Sequence, residues 1–476
     1  MKKNLLQPHG GCCSARRASA AIIALAAALV LAGLQTTWAA SIWGGSIKQK
    51  TDPAISTAAN TISAAHIQSD IQKLVSFGTR ATLSAQDPAS IAAGHGIGAA
   101  REWLESQFEM YSRECGGCLE VKTDDFIQEP VARVPQPTPL TNVYAVLKGT
   151  DPDWTKRIVL VTGHYDSRRT DVLDATGDAP GANDDASGTA VSLESAHALS
   201  KLKLRATIVF LTVPGEEQGL LGAKHFAQMA KQAGWNIEAV LNNDIVGGDR
   251  SPGQDAKVVR VFSEGLPSAA DEKQIKQIRG LGGENDSASR ELARYIIETG
   301  SSYSPGVKPI LIFRLDRYLR GGDHSAFNEQ GYAAVRFTEY RENFNHQHQD
   351  PRTENGIEYG DTLKFVNFDY VARVARLNAI TLAALAAAPA PPKEVKLVTS
   401  GLDNDSTLKW QPSEGATGYE VLWRATSAPT WEEHLEIAGD ATTTTLKVSK
   451  DNVIFAVRAV DKAGHKSLPV VPAPAR

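Results

Sequence analysis

The chain has 476 residues, of which 42% are hydrophobic and 22% are charged, so it has enough apolar material for more than one core and is not generally disordered. Fifty basic residues against 54 acidic residues give a formal net charge of −4, with no long run of one sign. This balance gives no indication of a nucleic-acid-binding surface or a polybasic membrane patch, so we expect a small molecule or a peptide as the partner.

The N-terminus has the features of a secretory signal peptide. Basic residues precede an apolar stretch over residues 20–34, and the small residues Ala39 and Ala40 follow it. This stretch is shorter than the roughly 20 residues that span a bilayer, although an uncleaved anchor or a twin-arginine signal are alternatives. We predict cleavage of residues 1–40 and a periplasmic or secreted protein that has no membrane contact after cleavage. Residues 41–54 are then a possible propeptide or flexible lead-in.

Removal of this leader leaves only two cysteines, Cys115 and Cys118. A Cys-Gly-Gly-Cys motif is compatible with a redox centre or half of a zinc site, but no second pair of cysteines exists in the mature sequence. No thioredoxin-like strand and helix pattern surrounds the motif either. We therefore expect a disulfide, formed in an oxidising compartment.

The next segments predict outer helices and then an alternation of strands and helices. Residues 55–77 and 96–111 have the apolar spacing of helices. Strands are predicted at residues 142–147, 157–162, 206–213 and 239–246, and helices at residues 189–202 and 220–233. The alternation predicts a three-layer α/β/α domain over residues 41–388, with a mostly parallel, mixed central sheet. In such sheets the functional side chains gather at the carboxyl ends of the strands.

A second, smaller domain is predicted after a linker. Residues 382–392 are dominated by Ala and Pro, which is typical of a linker. Residues 393–476 contain short alternating segments, as in a small all-β sandwich. These segments lie at residues 407–410, 418–424, 443–448 and 453–460. Trp410 and the second and fourth segments resemble a fibronectin type III module, which implies binding of protein or carbohydrate, or spacing, and not catalysis.

Five polar motifs are candidates for chemistry, and most follow predicted strands. They are His164-Tyr165-Asp166, Gly181–Gly188 with Asp184, Glu216-Glu217, Asn242-Asn243-Asp244, and residues 345–350 with His346 and His348. Each motif alone has a structural explanation, such as a hydrogen-bonded His–Asp pair or a helix N-cap at Ser187. Adjacent carboxylates at the end of a buried strand, however, need cations or protons to neutralise them. Nitrogen and oxygen ligands without thiolate fit zinc, and manganese or cobalt less well; five ligands suit two ions that share a carboxylate.

In this order and spacing, the five motifs resemble the co-catalytic zinc aminopeptidases of the bacterial leucyl type, over approximately residues 54–387. The resemblance implies a zinc-exopeptidase fold, two zinc ions per chain, and hydrolysis of the N-terminal peptide bond by a hydroxide that bridges the metals. It also implies roles for individual residues. His164 and Asp244 would hold one zinc, Glu217 and His346 the other, and Asp184 both; Glu216 would be the general base, Asp166 would support His164, and Asp184-Asp185 would be a cis peptide.

Several alternatives remain open at this point. His348 competes with His346, although the His-x-x-x-Asp spacing to Asp350 favours His346. Asp323-His324 resembles a further element near the site, but a helix N-cap explains it equally well. Because Asn345 stands where some relatives have an oxyanion-stabilising tyrosine, Tyr303 or Tyr340 could take that role. The alternative functions are a glutaminyl cyclase with one zinc, a carboxypeptidase, and a non-enzymatic adhesion protein in which the sandwich is the working module.

Overall fold

The computed structural model describes residues 47–475, so the predicted signal peptide lies outside the described residues. Helices and strands alternate between Pro53 and Ala387, which form the first of two units. The helices are α1 (Pro53–Ala59), α2 (Ala64–Val75), α3 (Pro88–Ala92), α4 (Gly96–Glu114), α5 (Ala186–Leu199), α6 (Leu221–Gln232), α7 (Glu272–Leu281), α8 (Ala288–Tyr303), α9 (His324–Glu329) and α10 (Phe368–Ala387). The strands are β1 (Leu119–Gln128), β2 (Thr138–Leu147), β3 (Ile158–His164), β4 (Thr207–Val213), β5 (Ile237–Asn243), β6 (Val258–Ser263), β7 (Lys308–Ile312), β8 (Ala334–Glu339), β9 (Arg352–Glu354) and β10 (Ile357–Tyr359).

Strands β1 to β8 form one mixed sheet in the order β1-β2-β4-β3-β5-β8-β6-β7. The four central strands β4, β3, β5 and β8 run parallel to one another. The pairs β1–β2, β2–β4 and β6–β8 are antiparallel. Because the central strands are parallel, their carboxyl ends meet at one edge of the sheet, where the predicted motifs lie.

The sheet separates two hydrophobic cores, which confirms the predicted three-layer α/β/α class. Side chains alternate between the faces of a strand. In β3, Val159 and Val161 belong to the core under α2, α4, α5, α8 and α10, whereas Ile158 and Leu160 belong to the core under α6 and α9. Every residue of β3 and β4 is buried, as expected for strands that are covered on both faces.

The single helix predicted at residues 55–77 is two helices in the structure. Asn60 ends α1, and Ser63 begins α2 by accepting a hydrogen bond from the backbone N–H of His66 at 3.1 Å. A serine in this position satisfies one of the free N–H groups at a helix N-terminus. The local capping signal therefore overrides the continuous apolar spacing.

Helix α10 corrects the predicted linker over residues 382–392. The run of Ala and Leu up to residue 387 is the last part of this helix and is buried, and the next strand begins at Lys393. The extended connection is therefore residues 388–392. By length and composition α10 could cross a membrane, but it packs as a core helix against α1, α2, α5 and α8.

The C-terminal unit consists of two small sheets with a common core. Its strands are β11 (Lys393–Val398), β12 (Ser406–Gln411), β13 (Gly418–Ala425), β14 (Glu433–Ala438), β15 (Thr443–Leu446), β16 (Val453–Val460) and β17 (Ala473–Ala475). They are ordered β15-β12-β11-β17 and β14-β13-β16. Trp410 of the first sheet packs on Tyr419 of the second with ring centroids 5.3 Å apart. The resemblance to fibronectin type III stays a prediction.

Cys115 and Cys118 are joined by a disulfide at the junction of α4 and β1. This confirms the expected bond. The two glycines between them both have positive φ, of 79° and 84°, which closes the short loop at little steric cost.

A buried ion network joins the C-terminal unit to α8. Arg458 on β16 is fully buried and donates to Glu298 on α8 at 2.7 and 2.9 Å and to Glu420 on β13 at 2.8 Å. Nearby, the indole N–H of Trp431 donates to Glu291 at 3.0 Å. These contacts hold the two units in a defined relative position, because a buried guanidinium tolerates little displacement from its carboxylates.

We expect Arg458→Ala to destabilise the chain by about 3–5 kcal/mol, because it leaves Glu298 buried without its cation. Urea unfolding followed by circular dichroism measures this change. Arg352→Ala is the control, since it breaks a pair with Glu354 in which both side chains are exposed, and should cost less than about 1 kcal/mol. Equal effects of the two substitutions would contradict the role of the network.

Candidate metal centre

Asp166 organises the carboxyl ends of β3 and β4. Its Oδ1 lies 3.2 Å from Nδ1 of His164, the last residue of β3. The same carboxylate accepts the backbone N–H groups of Glu216 and Glu217 at 3.3 and 3.2 Å, and the hydroxyl of Thr82 at 2.9 Å. The His-x-Asp motif therefore orients both the imidazole and the Glu-Glu loop. This position fits the supporting role that the resemblance implies for Asp166.

Asp185 has a corresponding role on the other side of His164. Its carboxylate accepts backbone N–H groups from Gly188 at 2.9 Å, His164 at 3.0 Å and Ile245 at 3.3 Å. Asp185 is thus the N-cap of α5, a position that the sequence interpretation gave to Ser187. By contacting β3, α5 and the residue that follows Asp244, this single side chain holds three segments in register.

Close approach of α5 to β3 depends on two glycines. A Cβ atom on Gly163 would lie 2.4 Å from the backbone of Gly188, and one on Gly188 would lie 2.1 Å from the carbonyl oxygen of Asn243. Any side chain at either position would push the helix away from the strand ends.

Two clusters of ligand-type side chains lie at this edge of the sheet. The first contains His164, Glu216 and Asp244, and the second contains Asp184, Glu217 and His348. Within each cluster one ligand atom per residue lies within 4.8 Å of the others. The structure therefore brings together predicted residues from the end of β3, from the loop before α5, and from the segments that follow β4 and β5.

Asp184 lies between the two clusters. Its Oδ1 is 3.1 Å from Nε2 of His164, and its Oδ2 is 2.9 Å from Nε2 of His348. The peptide bond between Asp184 and Asp185 is cis, as the resemblance implies. Asp361 holds this loop by accepting the backbone N–H groups of Asn183 and Asp184 at 2.8 and 2.6 Å. One carboxylate thus offers one oxygen to each cluster.

His348, and not His346, completes the second cluster, so the prediction for His346 was wrong. Nε2 of His348 lies 3.0 Å from Oε1 of Glu217. The ring of His346 instead stacks on Phe365 with centroids 3.5 Å apart, and its Nδ1 pairs with Asp249 at 2.5 Å. These two contacts turn His346 away from Glu217. The spacing argument fails as well, because Asp350 pairs with Arg169 at 3.0 Å.

His348 reaches the cluster through a strained backbone conformation. Its φ angle is +55°, in the left-handed region that residues with a side chain rarely adopt. Such strain persists where the surrounding structure requires it, which is frequent at functional sites. The unusual turn is what separates the directions of two histidines only two residues apart.

Buried polar atoms in both clusters lack hydrogen-bond partners. They include Nε2 of His164 and Oε1 of Glu217, whose close approaches to Asp184 and His348 do not have the geometry of hydrogen bonds. Although burial by itself lowers the pKa of His164, Asp166 and Asp184 raise that pKa well above its ordinary value. Burial also raises the pKa of Glu216 well above the ordinary value; Asp244, Glu217 and Asp323 add to this rise, whereas His164 opposes it. The donor set is nitrogen and oxygen with an excess of carboxylates, so the residues present fit a pair of divalent cations.

Two further charged residues belong to this centre. Arg336 on β8 is fully buried and lies 2.8 Å from Oδ1 of Asp244 and 3.1 Å from Asp316. Asp323 is fully buried, makes no N-cap hydrogen bond to α9, and has no hydrogen-bond partner on either oxygen. Burial, to which Asp244 adds and which His164 opposes, raises the pKa of Asp323 to about 7. Asp323 therefore stands at the N-cap position of α9 without capping the helix through its side chain. No local motif in the sequence signals Arg336.

Neither tyrosine considered for the oxyanion role contacts a cluster residue through a hydrogen bond recorded for the described residues. The hydroxyl of Tyr303 accepts from the backbone N–H of Asp52 at 2.8 Å. Tyr340 is 46% exposed. Gln347, directly before His348, donates to Oδ2 of Asp184 at 3.2 Å and is closer to the centre than either.

Comparison with known proteins identifies the family. A family model described as Peptidase family M28 matches residues 142–367, the range that contains both clusters. A probable zinc metalloprotease of Pyrenophora tritici-repentis is 46% identical over 435 residues, which is 90% of this chain and 88% of that protein. The chain belongs to peptidase family M28. A second relative of this M28 chain, a probable zinc metalloprotease of Pyricularia oryzae, is 46% identical over 439 residues, covering 90% of this chain and 86% of that protein.

A solved structure has a fold similar to that of this chain. The Legionella pneumophila LapA aminopeptidase matches with a TM-score of 0.50 at 19% identity, over 72% of this chain and 78% of that one. At this identity the match concerns the fold alone. The catalytic domain is thus an M28 peptidase fold, and the narrower resemblance to bacterial leucyl aminopeptidases stays a prediction.

Proposed function

We propose that this M28 chain is an exported zinc-dependent aminopeptidase, which holds two zinc ions and hydrolyses the N-terminal peptide bond of peptides. The observation that carries the proposal is the position of Asp184, whose two oxygens face His164 and His348 in separate clusters. A carboxylate shared in this way suits two cations about 3.5–4 Å apart. His164 and Asp244 would hold one zinc, Glu217 and His348 the other, and Asp184 both.

The roles of the surrounding residues follow from their positions. Zinc, when bound, polarises the scissile carbonyl and makes a water molecule more acidic. Glu216 lies beside His164 and Asp244 and is partly accessible, so its carboxylate would accept the proton of the attacking water and deliver it to the leaving amine. Asp166 would keep both His164 and Glu216 in position, since it contacts the first through its ring and the second through its backbone.

The charged groups around the centre argue against recognition of a substrate carboxylate. The centre is rich in carboxylates, and the guanidinium groups near it already face acidic partners. Arg336 faces Asp244, and Arg168 lies 3.8 Å from Oε2 of Glu217. A carboxypeptidase needs a free cation for the terminal carboxylate of the substrate, and neither of these two guanidinium groups is free. The proposed export rests on the leader sequence, and the Cys115–Cys118 disulfide supports it because such bonds persist in oxidising compartments.

We expect the purified mature chain to contain close to two zinc ions in its catalytic centre, as measured by elemental analysis. A chelator should abolish hydrolysis, and added zinc should restore it. The enzyme should cleave an unblocked aminoacyl anilide but not the N-acetylated form, because acetylation removes the ammonium group. Cleavage of the blocked substrate would contradict an aminopeptidase. Formation of pyroglutamate from a glutaminyl peptide without anilide cleavage would instead indicate a glutaminyl cyclase.

A further inference from the structure

A second group of ligand-type side chains lies between α2 and α5, outside the catalytic centre. It contains His66 on α2 and both Glu194 and His197 on α5. Glu194 follows Asp185, the N-cap of α5, by nine residues, which corresponds to about 14 Å along the helix axis. The group therefore shares no residue with the two catalytic clusters.

Helical geometry directs the three side chains toward one point. Glu194 and His197 are three residues apart, so they project from the same face of α5. Oε1 of Glu194 lies 3.6 Å from Nδ1 of His66 and 3.8 Å from Nδ1 of His197. Ligand bonds of about 2.0–2.1 Å in a tetrahedral zinc site place ligand atoms about 3.3–3.4 Å apart. The two distances from Glu194 exceed this value by only a few tenths of an ångström, and all three ligand atoms lie within 4.8 Å of one another.

The carboxylate of Glu194 is buried and has no hydrogen-bond partner. The residue is 1% exposed, and neither of its oxygens accepts a hydrogen bond. Asp70, one turn after His66 on α2, also has a buried oxygen without a partner. Burial raises the pKa of Asp70 well above its ordinary value, and the negative charge of Glu194 adds to the rise. A buried carboxylate without a partner is unfavourable, and a bound cation would remove this cost.

His197 is held in the orientation of a metal ligand. Its ring stacks on Tyr111 with centroids 4.7 Å apart and an interplanar angle of 15°. Its Nε2 lies 3.3 Å from Oε2 of Glu114, which leaves Nδ1 directed toward Glu194. A carboxylate on the second ring nitrogen is the usual support of a metal-bound histidine. Because the side chain of His66 is 57% exposed, the point between the ligands is accessible from solvent.

A third group of ligand-type residues consists of Glu420, His434 and Glu436. Its buried carboxylate, unlike that of Glu194, already has cationic partners. Glu420 is already paired with Arg458 and Lys466, both at 2.7 Å, so its charge is satisfied. His434 and Glu436 are exposed. The distinguishing feature of the group between α2 and α5 is therefore that the buried Glu194 carboxylate accepts no hydrogen bond and faces only imidazoles, whereas Glu420 is paired with an arginine and a lysine.

We propose that His66, Glu194 and His197 form an accessory site for a transition-metal dication such as Zn²⁺, which links α2 to α5. Two imidazoles and one carboxylate are ligands that zinc prefers, whereas calcium and magnesium prefer oxygen alone. Water would occupy the fourth position on the exposed side. Bound metal would stabilise the packing of the outer helix layer, because a ligand that binds only the folded chain shifts unfolding to higher temperature.

The test compares zinc content and thermal stability of the full mature chain with those of two variants. At micromolar free zinc we expect the wild type to hold one equivalent more than His66→Ala/His197→Ala, with anilide hydrolysis unchanged. Zinc added after the catalytic centre is saturated should raise the melting temperature of the wild type but not of the variant. His225→Ala is the matched control, since this histidine stacks on Phe126 and pairs with Asp124 elsewhere on the surface.

Glu194→Gln provides a second variant that preserves the shape of the side chain and removes its charge. This variant should also hold one zinc equivalent less than the wild type, and added zinc should not raise its melting temperature. Equal zinc content in the wild type, the double variant and Glu194→Gln would overturn the proposal. Because the readout is the difference in zinc between variants, the result does not depend on whether the proposed aminopeptidase activity is found.

Discussion

Glu216→Gln is expected to reduce hydrolysis of an aminoacyl anilide by about 10²–10⁴-fold while the zinc content stays unchanged. The substitution removes the carboxylate that would accept the proton of the attacking water. It preserves the backbone N–H of residue 216, which anchors the loop to Asp166 at 3.3 Å. The fall should appear in kcat, since the amide fills the same volume and leaves substrate binding largely intact.

The neighbouring Glu217→Gln is the matched comparison. Glu217 lies 3.0 Å from His348 in the second cluster. Removing its carboxylate should therefore lower both the zinc content and the activity. Measuring both the zinc content, by elemental analysis, and kcat distinguishes the role of Glu216 from that of Glu217. If Glu216→Gln retained activity within about threefold of the wild type, general-base catalysis by this residue would be excluded.

His348→Ala is expected to lose one zinc equivalent and at least about 100-fold in activity, whereas His346→Ala should keep both zinc ions in the catalytic centre. The two histidines are only two residues apart, but their surroundings differ. His348 contacts Asp184 and Glu217, and His346 contacts Asp249 and Phe365. Loss of His346 should instead destabilise the fold by about 1–3 kcal/mol, since Asp249 is left without its partner.

Zinc content, anilide hydrolysis and thermal unfolding of the two variants together decide the assignment. The reverse pattern, with zinc lost from His346→Ala and retained by His348→Ala, would return the metal ligand to His346. Loss of zinc from both variants would mean that the loop as a whole, rather than one imidazole, holds the ion.

Most of the catalytic domain was predictable from local patterns. The apolar, β-branched runs at residues 157–162 and 206–213 predict buried strands, and the structure has strands at Ile158–His164 and Thr207–Val213. Because carboxyl ends of parallel strands meet at one edge, the motifs that follow these strands were expected to converge. His164, Asp184, Glu216, Glu217 and Asp244 do so.

Predictions failed where burial or a distant partner decides the outcome. Composition marks residues 382–387 as part of a linker, but packing of α10 against α1, α2, α5 and α8 makes them core. Likewise, two of the three backbone donors to Asp185, those of His164 and Ile245, come from other parts of the fold, and so does the contact of Arg336 with Asp244. No local motif indicates these distant contacts.

Local sequence patterns were enough to show which residue types follow which strands, because strand patterns and polar strand ends are local properties. Whether His346 or His348 faces the centre depends on the folded chain. That choice depends on Asp249 and Phe365, which lie 97 residues before and 19 residues after His346 and meet it only in the fold. The accessory cluster of His66, Glu194 and His197 depends on tertiary structure in the same way, since packing of α2 on α5 brings residues over 120 positions apart within reach of one ion.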